Sequence, residues 1–74
     1  MKSVKEAEVF DAGLILKESR KEARMTQSEL AAKLNVTKSY ISRIENGFIT
    51  PSVTVFYRIV AALGKRIEIV RSIG

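Results

Sequence analysis

Thr26-Gln-Ser-Glu-Leu-Ala-Ala-Lys-Leu-Asn-Val-Thr-Lys-Ser-Tyr-Ile-Ser-Arg-Ile-Glu-Asn-Gly47 spells out two helices and the bend between them. Thr26 and Glu29 stand at the spacing of a capping box, in which the hydroxyl accepts from the Glu29 N–H and the carboxylate reaches back to Thr26. Leu30, Ala31 and Leu34 then recur at helical intervals and face inward. Asn35, a residue that tolerates left-handed backbone, closes this helix. Thr37 is the next N-cap, and it opens a helix over residues 37–45 with Ile41 and Ile44 as its core residues. Asn46-Gly47 is a strong stop. Only Asn35 and Val36 separate the two helices.

Working outward, residues 10–24 read as a preceding helix rich in Leu, Lys, Glu, Arg and Ala. Ala12, Leu16, Ser19 and Ala23 fall on one stripe, while Gly13 weakens the first turn. Downstream, the loop 48–51 leads to a third cap, Ser52, and to a helix over 53–63 whose buried face is Val53, Phe56, Ile59, Val60 and Leu63. Gly64 ends it. Residues 65–71 alternate and are rich in β-branched side chains, so they read as a strand. One strand cannot satisfy its own backbone. The chain offers no second strand pattern, so the expected partner is the same strand of another copy across a two-fold axis. Ile67, Ile69 and Val70 are then the dimerisation residues; a further short helix or a frayed tail is the alternative. The expected fold is all-α, a compact four-helix domain over residues 10–64. A polar segment, 1–9, precedes it, and a C-terminal β-strand and tail, 65–74, follow.

Composition narrows the function. Seventy-four residues make one domain, which buries only about 60% of the surface of its unfolded chain. Thirteen Lys and Arg face eight acids, for a net charge of +5. Residues 1–11 hold two lysines against three acids, so the basic excess belongs to the remainder, which attracts polyanions. The chain has no histidine and no cysteine, and its four glycines are scattered, so neither a general base of the usual kind nor a phosphate loop is available. Catalysis, metal binding and a cofactor are not expected. No apolar run approaches the roughly 20 residues needed to cross a bilayer, and residues 1–9 are unlike a signal peptide. The expected location is cytoplasmic, with no membrane partner.

Two helices joined by so short a turn make a helix-turn-helix, whose second helix can lie in the major groove of duplex DNA. The pattern Thr-Gln-x-x-Leu-Ala from Thr26, then Ile-Ser-x-Ile-Glu-Asn-Gly from Ile41, then Pro51-Ser and Ala62-Leu-Gly closely resembles the phage repressor and Cro family of regulators, also called XRE-like. The resemblance spans about residues 12–64. It implies a sequence-specific double-stranded DNA-binding regulator, usually a homodimeric repressor on a palindromic operator. In such relatives the residue matching Gln27 holds a phosphate and braces the recognition helix. Those matching Thr37, Lys38 and Ser39 meet base edges or adjacent phosphates. Tyr40 and Arg43 are expected one and two turns further along the same outward face, and the residue matching Asn46 often donates to phosphate. The family's counterparts of Arg20 and Glu45 commonly pair, which assigns them to structure. Arg24 departs from the glycine of many relatives, and Ser19 from the usual leucine.

The residues support the same roles. Positions 38, 39, 42 and 43 project away from Ile41 and Ile44, so Lys38, Ser39, Ser42 and Arg43 face solvent or a groove. Arg43 can bond guanine O6 and N7 together, a contact worth about 1–3 kcal/mol of discrimination. A strand after the fourth helix also resembles the HigA-like and HipB-like antitoxins, which repress their own operon and bind a toxin protein. That alternative rests on analogy.

Overall fold

Among residues 11–68, which the computed structural model describes, four helices form: α1 Ala12–Glu22, α2 Gln27–Leu34, α3 Lys38–Glu45 and α4 Val53–Ala62. Each starts on a side-chain oxygen that takes up one of the unpaired N–H groups of its first turn. Asp11 accepts from Leu14 N–H at 3.0 Å, Thr37 from Tyr40 N–H at 3.1 Å and Ser52 from Val55 N–H at 3.2 Å. Thr26 and Glu29 form the full capping box, with bonds of 3.0 and 2.8 Å.

The four ends are also alike. Arg24, Asn35, Gly47 and Gly64 all take left-handed backbone, with φ of 59, 60, 82 and 74°. At each, the following N–H returns five residues: Met25 to Arg20 O, Val36 to Ala31 O, Phe48 to Arg43 O and Lys65 to Val60 O. This is the Schellman cap, which satisfies the last carbonyls of a helix. Asparagine and glycine suit it; arginine in that conformation costs about 1–2 kcal/mol. The exit of α1 therefore keeps the turn that glycine favours, without the glycine.

Leu16, Leu30, Ile41, Ile44 and Ile59 are the largest fully buried side chains, joined in one core by Ala31, Val60 and Leu63. Each large apolar side chain removed from water contributes about 1.5–3 kcal/mol. Packing is most extensive between α2 and α3, with α1 laid across α3 and α4 closing the far side. On α1, Gly13, Leu16 and Arg20 form the buried stripe. Gly13 is there because nothing larger fits: a Cβ would lie 2.3 Å from the Ile44 carbonyl oxygen and 3.1 Å from that of Glu45.

Four expectations change. The first helix starts at Ala12 and ends at Glu22, since Asp11 serves as its cap and Arg24 turns left-handed; Phe10 lies outside the described residues. Val53 is 71% exposed, because it opens α4 ahead of the level where Phe56 and Ile59 meet the core. Leu63 caps α4 but is buried as expected. Residues 65–68 form no strand. A strand is a pairing, and no described segment of this chain offers an edge; Lys65 instead bonds back to α4 and pairs with Glu22. The rest of the expected strand, with Ile69 and Val70, lies outside the described residues. No helix among the described residues is long and apolar enough to cross a membrane.

Gly13 and Arg24 invert the usual substitution rules. Alanine is the better helix former by about 1 kcal/mol, yet Gly13→Ala is expected to lose about 2–3 kcal/mol, since the new methyl meets backbone that cannot turn aside. Arg24→Gly is expected to gain about 0.5–1 kcal/mol, the left-handed penalty less the extra freedom of the unfolded glycine. Urea unfolding of both checks this; a Gly13→Ala protein as stable as the parent refutes the close approach.

Candidate nucleic-acid interface

With Ile41 and Ile44 turned into the core, the helical repeat leaves the other side of α3 open. Lys38, Ser39, Arg43 and Asn46 are exposed there and Ser42 is half-buried. Gln27, from the first turn of α2, and Phe48 and Ile49, from the loop after α3, border the same shallow face. Its charged members are Lys38 and Arg43, and among the described residues no carboxylate lines it. Asn46 Nδ2 donates to Ser42 Oγ at 3.3 Å, which steadies both side chains.

The one acid of α3, Glu45, points the other way. Arg20 meets it with a two-pronged contact: Nε donates to Oε2 at 2.7 Å and Nη2 to Oε1 at 3.0 Å. Gln27 Nε2 donates to the same Oε1 at 3.0 Å, and Arg20 Nη1 donates to the Met25 carbonyl at 2.7 Å. Arg20 and Glu45 are each 8% exposed. Among the described residues no buried side-chain nitrogen or oxygen lacks a partner. Burial by itself pushes the Glu45 carboxyl up; hydrogen bonds from Arg20 and Gln27, with the charges of Arg20 and Lys17, outweigh it and hold the group below its ordinary value. The hydrogen bond to Glu45 raises Arg20 above its own ordinary value, against the opposing effect of burial.

The remaining predicted residues fall elsewhere. Thr37 is exposed, and its hydroxyl is engaged as the N-cap of α3. Tyr40 does not share the outward face with Arg43. It is half-buried and lies in a separate cleft with Leu34, Val36, Val55 and Ile59. The helical repeat explains this: position 40 sits between Thr37 and Ile44, on the flank turned toward α4. Arg58, in the same cleft, donates from Nη2 to the Leu34 carbonyl at 3.3 Å and so secures the end of α2. Ile67 is exposed and borders a third cleft with Val53, Phe56 and Tyr57. Phe48 and Ile49 were missed by the sequence reading, because loop residues carry no periodicity; an aromatic directly after Asn46-Gly47 was the available signal. No group of three or more acids, among the described residues, is placed to hold a metal ion.

Comparison with known proteins matches the helix-turn-helix family model to residues 16–70. The chain is 41% identical over 51 residues to an uncharacterized HTH-type transcriptional regulator of Methanothermobacter thermautotrophicus, covering 69% of this chain and 74% of that protein. It is 32% identical over 59 residues to the ImmF control region 10 kDa protein of Bacillus phage phi105, covering 80% and 66%. With the immunity repressor protein of the same phage it shares 36% over 56 residues, 76% of this chain but 39% of the repressor. No solved structure matches significantly.

Breaking the buried pair leaves one charge stranded, so Arg20→Ala and Glu45→Gln are each expected to lose about 3 kcal/mol or more at neutral pH. The pH dependence separates the pair from mere packing. A carboxyl held below its ordinary value contributes stability that is complete above about pH 4.3 and is lost as pH falls through its lower folded value. The parent should therefore destabilise on acidification more steeply than Glu45→Gln, and their difference should narrow. A difference that stays constant from neutral to acid pH refutes the account.

Proposed function

The chain belongs to the XRE-like helix-turn-helix family of transcriptional regulators, and from that premise we propose that it is a dimeric repressor that lays α3 in the major groove of a palindromic operator. The observation that carries this reading is the open face of α3, where Lys38 and Arg43 stand among Ser39, Ser42 and Asn46 with no acid beside them among the described residues. Lys38 and Ser39, at the N-terminal end, meet base edges, as the geometry of docked recognition helices requires. Arg43 takes a guanine through both O6 and N7. Asn46 and the second amide proton of Gln27 donate to phosphates on either side. The exposed Thr37 hydroxyl, at the start of α3, serves the adjoining backbone strand.

A palindrome needs a two-fold partner. Val53, Tyr57 and Ile67 form an exposed apolar patch at one cleft, an area that a second copy would cover. That copy would also cover Ile67, which is exposed within one chain. Similarity to a phage immunity repressor favours repression, by occlusion of a promoter, over the antitoxin reading.

Selection of bound duplexes from a random library at near-physiological salt tests the proposal, with Arg43→Ala and Lys38→Ala alongside. The expected result is an enriched palindrome with half-sites about one helical turn, ~34 Å, apart. Arg43→Ala should relax one defined position of each half-site by about 1–3 kcal/mol, and sedimentation should give the mass of a dimer. Retention that depends on salt alone, with no enriched sequence, refutes specific readout.

A further inference from the structure

Phe48 is 80% exposed, the highest among the large apolar side chains of the described residues. Single exposed apolar residues are ordinary on protein surfaces. This one differs in being fixed and in its neighbours. Its N–H donates to the Arg43 carbonyl at 2.8 Å, the Ile49 N–H reaches the same oxygen at 3.2 Å, and the Gly47 N–H reaches Ile44 O at 3.1 Å. The backbone of Phe48 therefore moves with α3 as one body. In a Schellman cap the residue at this place commonly covers an apolar side chain of the last turn. Its counterpart here is Arg43, itself exposed, so the ring is left uncovered on the face that holds Lys38 and Arg43.

We propose that Phe48 is an apolar DNA contact, its ring packed on the deoxyribose edge of the backbone that borders the major groove. This rests on the DNA-binding reading above and goes beyond it. A recognition helix enters the groove by its N-terminal end, so a residue beyond the C-terminal end meets the flanking backbone and not the base edges. That backbone offers phosphate oxygens and sugar carbons. A phenyl ring has nothing to donate to a phosphate, and the amides of Gln27 and Asn46 on the same face already serve that role. The sugar carbons are the apolar surface left for it, and their burial adds affinity indifferent to sequence and to salt.

The test is equilibrium binding across a salt series, to the selected operator and to an unrelated duplex, for the parent, Phe48→Ala, Phe48→Leu and Lys38→Ala. Phe48→Ala is expected to weaken binding to both duplexes alike, by about 5- to 10-fold, with the slope of log K against log salt unchanged. Phe48→Leu should restore most of the loss, and the urea midpoint of Phe48→Ala should equal that of the parent. Lys38→Ala, by contrast, should weaken binding to the operator far more than to the unrelated duplex, because Lys38 meets base edges. Unchanged affinity in Phe48→Ala overturns the proposal, as does a loss confined to the operator. A loss that disappears when operator thymines are replaced by uracil also overturns it, because it assigns the ring to a base methyl. A parent that binds neither duplex fails the DNA-binding reading itself, a result distinct from the others.

Discussion

Glu45 stands at the last residue of α3, where the helix dipole presents its negative end, and it is buried there. Both circumstances oppose a carboxylate. It is tolerated because Arg20 of α1 supplies a two-pronged donor and Gln27 of α2 a third hydrogen bond, so that three helices converge on one carboxyl group. A well-packed apolar cluster could hold the helices together as firmly. It could not fix the rotation of α3 about its axis as narrowly, since apolar contacts are non-directional and a forked arginine contact is not. That rotation decides which side chains of α3 meet the outside.

Gly13 acts at the same place by subtraction. It lies two turns before Arg20 on the buried stripe of α1, and it lets the α1 backbone approach the Ile44 and Glu45 carbonyls too closely for any side chain. The ion pair and the missing Cβ thus fix the same end of α3, one through attraction and the other through clearance. The two are coupled: pushing α1 outward at Gly13 would also draw Arg20 away from its carboxylate.

Features that depend on nearby residues were the ones legible in the sequence. The caps Thr26, Thr37 and Ser52 and the stops at Asn35, Gly47 and Gly64 are local devices, and all are present. Leu16, Leu30, Ala31, Ile41, Ile44, Ile59, Val60 and Leu63 follow helical periodicity and make the core. Gly13 was misjudged as a weak helix residue, because its reason is a backbone remote in sequence. Val53 fits the apolar repeat of α4 yet stands beyond the core, since periodicity gives a face and not a depth. Tyr40 shows the same limit at the site: an outward position next to Ile41 is, on a tightly packed helix, a flank. The strand expected over 65–71 was a statement about two chains; residues 65–68 form none, and the rest lies outside the described residues.

The local rules also hide what the Arg20–Glu45 pair does for electrostatics. Along α3 the sequence carries Lys38, Arg43 and Glu45, so one acid balances half of its basic charge. Folding undoes that balance. The acid is turned inward and neutralised by a base from another helix, while Lys38 and Arg43 are left outward among neutral donors. A carboxylate left on the open face would repel phosphate at close range, and an arginine left unpaired on α1 would place a cation where no groove is presented. Pairing the two inside removes both faults and sets the direction of the exposed helix at once. The charge pattern that suits a polyanion is therefore a product of the tertiary fold, built from a helix that by composition alone carries little of it.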